Sequence, residues 1–276
     1  MNYRHAYHAG NFADVLKHAV LVWAVRYLQQ KEGPLCLVDT HGGAGLYDLS
    51  AEAALKTGEA ADGILRLTGA SGVPAVLAPY LELVRRANDG GVVGRYPGSP
   101  WLMAQMLRAR DRAVVGELHP EDAVALRSSL RGQERVRVAL GDGYALLATS
   151  VPPPEKRGLV LIDPPFEETD EFERLARALI GAHAKWPTGV FLLWHPIKDR
   201  TAVLRFHAEL SNAGIAKMTS IGLDVGEIES GLHACGLLLV NAPWTVEQDW
   251  REPVAWLARR LAQGNKAGGD VSALAP

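Results

Sequence analysis

The sequence predicts an α/β protein: a mainly parallel sheet with helices on both faces. Three observations carry this. The chain has 276 residues, 48% of them apolar and 28 of them Gly, enough to bury one large core without disulfides. Seven short apolar runs read as strands: Leu35–Thr40, Ala113–Glu117, Val136–Leu140, Gly158–Asp163, Gly189–His195, Ala216–Leu223 and Leu232–Asn241. Most are separated by segments of helix length, the signature of parallel strands joined by crossover helices.

The elements follow in order. Asn11 predicts an N-cap with Asp14 at the third helical position, and Val15, Leu16, Ala19, Val20, Trp23, Ala24, Tyr27 and Leu28 recur at helical spacing up to a stop near Gly33-Pro34. One face of this helix is core, and Lys17 and His18 lie beside it near the first turns. Between the first two strands lie about 70 residues, where a crossover needs about 12. Ser99 as N-cap and Pro100 at the first turn make Pro100–Arg110 the crossover helix. Residues 48–96 are then an insertion within a single domain spanning 1–276, a small helical subdomain of two pieces, Ser50–Leu67 and Val76–Asn88. Further helices are expected at Pro120–Leu130, Gly143–Ser150, Asp170–Lys185 and Thr201–Ala213. The last strand approaches through a hairpin-like segment from Gly222 to Gly231 and is expected antiparallel. The tail, Gln263–Pro276, is expected to be mobile.

Composition excludes several classes. No apolar run approaches the roughly 18 residues of a membrane span, and the N-terminus lacks an export pattern, which points to a cytoplasmic protein. Cys36 and Cys235 sit in apolar strands as buried hydrophobes, and no spacing suits a zinc site. With 29 Lys+Arg against 31 Asp+Glu, any nucleic-acid surface must be local. Two stretches qualify: residues 1–18, and Arg85–Arg137 with ten Arg against six acids.

Chemistry gathers at strand ends. Val38-Asp-Thr-His41-Gly-Gly43-Ala-Gly45 runs a strand into a glycine-rich turn, yet it matches neither the dinucleotide fingerprint nor a P-loop. Glu117 and Asp142-Gly143 end the next two strands, where Glu117 suits ribose hydroxyls and Asp142 an adenine amine. Together they describe an adenosine pocket. Asp163-Pro164-Pro165-Phe166 ends a buried strand. An exocyclic amine on a base is a poor nucleophile because its lone pair is delocalised into the ring. Methylating it requires two acceptors for its N–H protons, which the Asp163 carboxylate and the Pro164 carbonyl supply, while Phe166 offers a stacking face. The base must first leave any helical stack. Asn241-Ala-Pro-Trp244 also follows an apolar strand, but an antiparallel strand delivers it to the opposite edge, where it is structural.

These residues carry a resemblance. The ordered motifs resemble those of class I S-adenosylmethionine-dependent methyltransferases that act on amines. Tyr3-Arg-His-Ala-Tyr-His-Ala-Gly-Asn11, Asp14-Val-Leu-Lys17-His18, Asp39-Thr-His41, Tyr96-Pro-Gly-Ser99-Pro and Glu117-Leu-His-Pro120 resemble the bacterial 23S rRNA adenine-N6 methyltransferase J family over nearly the whole chain. The resemblance implies a Rossmann-like fold with a helical insert and methylation of one adenine, of the adenine-2030 type, in 23S ribosomal RNA. It implies S-adenosyl-L-methionine as cofactor, met by His18, His41, Gly43, Ser99, Glu117, Asp142, Gly143 and Asp163. Asp163 is the implied catalytic acceptor, with Pro164 and Phe166. Tyr3, Arg4, His5 and Lys17 are expected on the RNA side, in a segment read as a mobile flap over the target adenosine. Phe166 departs from the family's better-known member, which has Tyr, and Ala242 replaces a Pro. No obligate protein partner is evident, which fits a monomer. DNA adenine methylation and a catalytically silent rRNA-binding assembly factor are the competing readings at this point.

Overall fold

In the computed structural model, residues 5–228 and 231–274 are described. The elements in chain order are α1 (Phe12–Leu28), β1 (Cys36–Asp39), β2 (Leu46–Asp48), α2 (Glu52–Thr57), α3 (Ile64–Leu67), α4 (Ala78–Arg86), β3 (Arg95–Pro97), α5 (Ser99–Met106), β4 (Arg112–Glu117), α6 (Pro120–Ser129), β5 (Val136–Leu140), α7 (Gly143–Ser150), β6 (Gly158–Ile162), α8 (Glu171–Lys185), β7 (Val190–Pro196), α9 (Arg200–Asn212), β8 (Met218–Asp224), β9 (Ala234–Val240), α10 (Val246–Arg260) and β10 (Gly268–Leu274). Single 3-10 turns cover His5–Tyr7, Glu59–Ala61 and Ala75–Leu77.

The fold is Rossmann-like. An eight-stranded sheet runs β10-β8-β9-β7-β6-β1-β4-β5. From β5 to β7 neighbouring strands are parallel, and β9 runs antiparallel to both β7 and β8, as its hairpin-like approach predicts. The chain leaves β1 for β4 on one side and returns to β6 on the other, so the order reverses beside β1. That reversal opens a crevice at the carboxyl ends of β4, β1 and β6.

Two departures from the sequence reading have physical causes. The tail is not loose: Gly268–Leu274 forms β10, paired along β8 in antiparallel register. Its strand signal is weak because it is an edge strand with two glycines, four exposed residues, three half-buried ones and no fully buried face. It makes the sheet eight-stranded rather than seven. Second, α1 is buried on every side from Phe12 to Val25 rather than along one stripe. It lies between the sheet, α5 and α4 of the insertion, so Lys17 and His18 are interior. The helix also stops at Leu28, short of Gly33-Pro34.

Between β1 and β4 the insertion holds α2, α3 and α4 with their 3-10 turns, and β2 and β3 pair antiparallel at its base. It closes over α1 through Leu77, Tyr80 and Val84, all buried with α1 in one core cluster. The opposite sheet face buries Leu175, Leu179, Phe206 and Leu210 from α8 and α9. No helix among the described residues is long and apolar enough to cross a membrane.

Ending the chain after Asn265 removes β10 and strips the pairing from β8. The melting temperature should fall by at least about 4 °C, the scale of 1–2 kcal/mol for a chain of this size. A tail that contributes nothing would leave it unchanged in differential scanning calorimetry.

Candidate active site

The glycine-rich turn is built by backbone ties. After β1, the Gly42 N–H donates to Gly116 O at 2.7 Å and the Gly43 N–H to Glu117 Oε2 at 2.7 Å, hooking the loop to the end of β4. A Cβ at Gly42 would lie 2.4 Å from Val115 Cγ1, and at Gly43, where φ is +61°, 2.0 Å from the Tyr47 hydroxyl. Side chains at either position would lift the loop off β4 and β2. Glu117 also accepts from the His119 N–H at 2.7 Å, so both its oxygens are fixed by backbone. Asp142 caps α7 by accepting from the Ala145 N–H. Ser99, read as an N-cap, is instead the first residue of α5; Gly98 takes the cap position. Ser99 lies beside Asp39, whose carboxyl burial pushes up to about 6 while the Ser99 hydroxyl pulls it back. The approach falls short of hydrogen-bond geometry, and Asp39 Oδ2 is buried without a partner.

Asp163 lies where β6 ends. Lys17 Nζ donates to Asp163 Oδ2 at 2.5 Å and sits 2.9 Å from Asp14 Oδ1. Lys17, expected on the RNA side, is only 4% exposed: α1 is interior, and this cation lies in the floor of the crevice. Burial disfavours its charge, but Asp14 and Asp163 outweigh that and hold the ammonium well above its ordinary range. Burial likewise pushes the Asp14 carboxyl up, yet His5 and Lys17 hold it well below the ordinary carboxylate range. His18 Nδ1 and the Tyr96 hydroxyl are hydrogen-bonded at 2.7 Å, and burial holds the imidazole down at about 3. Burial pulls His41 down to about 4, its Nδ1 paired with the Thr40 hydroxyl at 2.7 Å.

His5, expected on the RNA side within the flap, is tied to α1 and Tyr47. Its Nε2 bonds Asp14 Oδ2 at 2.9 Å and its ring packs 5.1 Å from that of Tyr47. Tyr3 and Arg4 lie outside the described residues.

His5, Lys17, His18, His41, Gly43, Ser99, Glu117, Asp142, Gly143, Asp163, Pro164 and Phe166 all line one cavity of about 1000 Å³. Phe166 holds φ +48°, an uncommon conformation for an aromatic residue, and meets Phe172 and Trp194 edge-on. Sequence reading missed one wall. The Tyr144 hydroxyl donates to buried Glu171 at 2.5 Å, with the Arg174 guanidinium 5.3 Å over the Tyr144 ring. Tyr144 follows the Gly-Asp-Gly motif directly, a usable signal; nothing local marked Glu171, which reads as a helix-start acid. The rejected motif stays apart: Asn241 Nδ2 donates to Pro187 O and Gly189 O, both at 2.8 Å, where β7 begins.

The cavity fits a nucleoside cofactor bearing positive charge. Nine carboxylates line it against two lysines and one arginine, and His119 Nε2 in its wall is buried without a partner.

A family model described as "Ribosomal RNA large subunit methyltransferase D, RlmJ" matches residues 32–273. The chain belongs to that family. It is 36% identical to "Ribosomal RNA large subunit methyltransferase J" of Escherichia coli (strain K12), covering 100% of this chain and 99% of the relative. The same identity and coverage hold for the protein of that name from Haemophilus influenzae. Among solved structures, protein LPL1258 from Legionella pneumophila superposes with a TM-score of 0.88 at 30% identity, covering 96% of this chain and 98% of that one.

Two outcomes follow from the charges. Lys17→Met removes the cation that Asp14 and Asp163 share, leaving Asp14 only His5 and Asp163 no cation at that oxygen, and should cost at least about 3 kcal/mol in urea unfolding; an unchanged midpoint would refute the triad. His41 takes its proton near 6.5 when unfolded but at about 4 in the fold, so stability is full above pH 6.5 and is lost as pH falls toward 4. Asp39, raised to about 6, works in the opposite sense below that pH. The melting temperature of His41→Asn should therefore decline less between pH 6.5 and 4 than that of the parent, and equal slopes would contradict a neutral buried ring.

Proposed function

We propose that this chain transfers a methyl group from S-adenosyl-L-methionine to the exocyclic N6 amine of an adenine in 23S ribosomal RNA, of the adenine-2030 type, with the base turned out of its stack. The observation that carries the reading is the position of Asp163: a carboxylate at the end of β6, clamped by Lys17 and opening on the same cavity as the glycine turn. The names of the relatives supply the RNA.

Gly42, Gly43, Glu117 and Asp142-Gly143 would hold the cofactor's nucleoside along the ends of β1, β4 and β5, with His18, His41 and Ser99 beside them. The bound cofactor supplies an electrophilic methyl group. The protein's part is to aim the amine. Lys17 occupies Asp163 Oδ2, which leaves Oδ1 to accept one N–H of the amine. The Pro164 carbonyl accepts the other. Two acceptors fix the plane of the amine and draw density onto nitrogen. Pro164 and Pro165 carry no N–H, so no donor from the turn competes for Asp163. The nitrogen gains a bond and must lose a proton, and Asp163 Oδ1 is the acceptor in contact with it. Lys17 is held too firmly protonated to serve as base; it supplies the carboxylate's counter-charge. Phe166 and Trp194, with Phe172 packed behind Phe166, form an apolar corner for the base.

Asp163→Ala should keep cofactor affinity within a few fold and lower turnover at least about 100-fold, since a charge-assisted hydrogen bond is lost and orientation with it. Asn241→Gly, which keeps the positive φ but removes two hydrogen bonds, should lower the melting temperature and leave turnover intact. Near-normal turnover of a folded Asp163→Ala protein, or selective inactivation by Asn241→Gly, would overturn the assignment.

A further inference from the structure

We infer that Glu59, from the insertion, is a positioning residue for the Lys17–Asp163 pair. The inference rests on the reading of Asp163 as the acceptor for the amine.

Glu59 lines the catalytic cavity, but its oxygens turn toward the N-terminal segment. Oε1 is bonded to His8 Nδ1 at 2.8 Å and Oε2 accepts from Asn11 Nδ2 at 2.9 Å. Asn11 is the N-cap of α1: its Oδ1 accepts the Asp14 N–H at 2.9 Å. Asp14 Oδ1 meets Lys17 Nζ at 2.9 Å, and Lys17 Nζ meets Asp163 Oδ2 at 2.5 Å. A chain of four polar contacts thus runs from the insertion through the first turn of α1 to the acceptor carboxylate. Asp14 draws the segment in further, since its Oδ2 accepts from the Gly10 N–H and binds His5 Nε2, each at 2.9 Å.

The surrounding contacts restrict what the chain can do. The Ile64 N–H donates to Gly10 O at 2.8 Å, and a Cβ at Gly63 would lie 2.0 Å from the same oxygen, so the insertion's backbone presses directly on the turn before α1. The Thr57 hydroxyl donates to Tyr7 O, and Lys56 Nζ stands 5.9 Å over the Tyr7 ring. Residues 7–11 are thus gripped by the insertion on one side and capped into α1 on the other. Asn11 has one side chain with which to serve both, and Glu59 fixes its orientation: Nδ2 toward the insertion leaves Oδ1 toward Asp14. Without Glu59 the amide can rotate, the cap loosens, and the turn carrying Asp14 loses its register with Lys17.

The experiment compares the full chain with Glu59→Ala and Glu59→Gln. Glutamine still offers an oxygen to Asn11. For each protein, amide hydrogen exchange at Gly10 and Asp14 is measured alongside kcat and KM on an rRNA transcript. In Glu59→Ala the two amides should exchange about tenfold faster and kcat should fall about tenfold, the scale of one charge-assisted hydrogen bond, with KM for RNA within about twofold. Glu59→Gln should restore both readouts. Parental exchange and kcat in Glu59→Ala, equal impairment in both variants, or a loss confined to KM would overturn the inference. If the parent protein methylates no RNA, the function reading fails by itself, and the exchange rates still decide whether Glu59 orders the turn.

Discussion

A buried lysine between two carboxylates holds this site together. Lys17 is almost without solvent, and an ammonium there is tolerated only because Asp14 and Asp163 meet it within hydrogen-bonding distance. Those partners come from different parts of the chain: Asp14 from the first turn of α1, Asp163 from the end of β6. Their shared cation ties α1 to the sheet at the place where the order of strands reverses. The sequence-distant halves of the pocket are therefore not independent. A change that loosens α1 also releases the carboxylate on which the proposed chemistry depends.

Topology does the rest of the sorting. Five parallel strands from β5 to β7 deliver their carboxyl ends to one edge, which brings His41-Gly-Gly43, Glu117, Asp142 and Asp163 onto one cavity. Strand β9 runs the other way, so a motif with similar residues, Asn241-Ala-Pro-Trp244, ends against Pro187 and Gly189 at the far edge. Two strands with similar sequence endings have different roles because their directions differ.

Much of this was legible in the sequence for a local reason. Parallel strands buried on both faces read as unbroken apolar runs, and glycines and acids at their ends need no tertiary context to be noticed. Asn11 as the cap of α1 is another local signal, and it is where the structure puts it. What sequence missed is what depends on neighbours far along the chain. Lys17 looked solvent-facing because the insertion that covers α1 begins some thirty residues later. Strand β10 looked like a loose tail because its support comes from β8, with which it pairs, and from α10, which was not recognised because Pro253 inside it breaks the helical pattern. The Tyr144–Glu171–Arg174 wall joins two helices whose sequences, taken singly, show ordinary surface residues.

The most direct test is chemical. The protein is incubated with a 23S rRNA transcript and S-adenosylmethionine carrying an isotopically labelled methyl group, and the RNA is digested to nucleosides and separated by mass spectrometry. The account predicts label confined to N6-methyladenosine, formed at least about 100-fold more slowly when Asp163 is replaced by Ala. Label on any other nucleoside, or N6-methyladenosine formed at an undiminished rate by the Asp163→Ala protein, would contradict it.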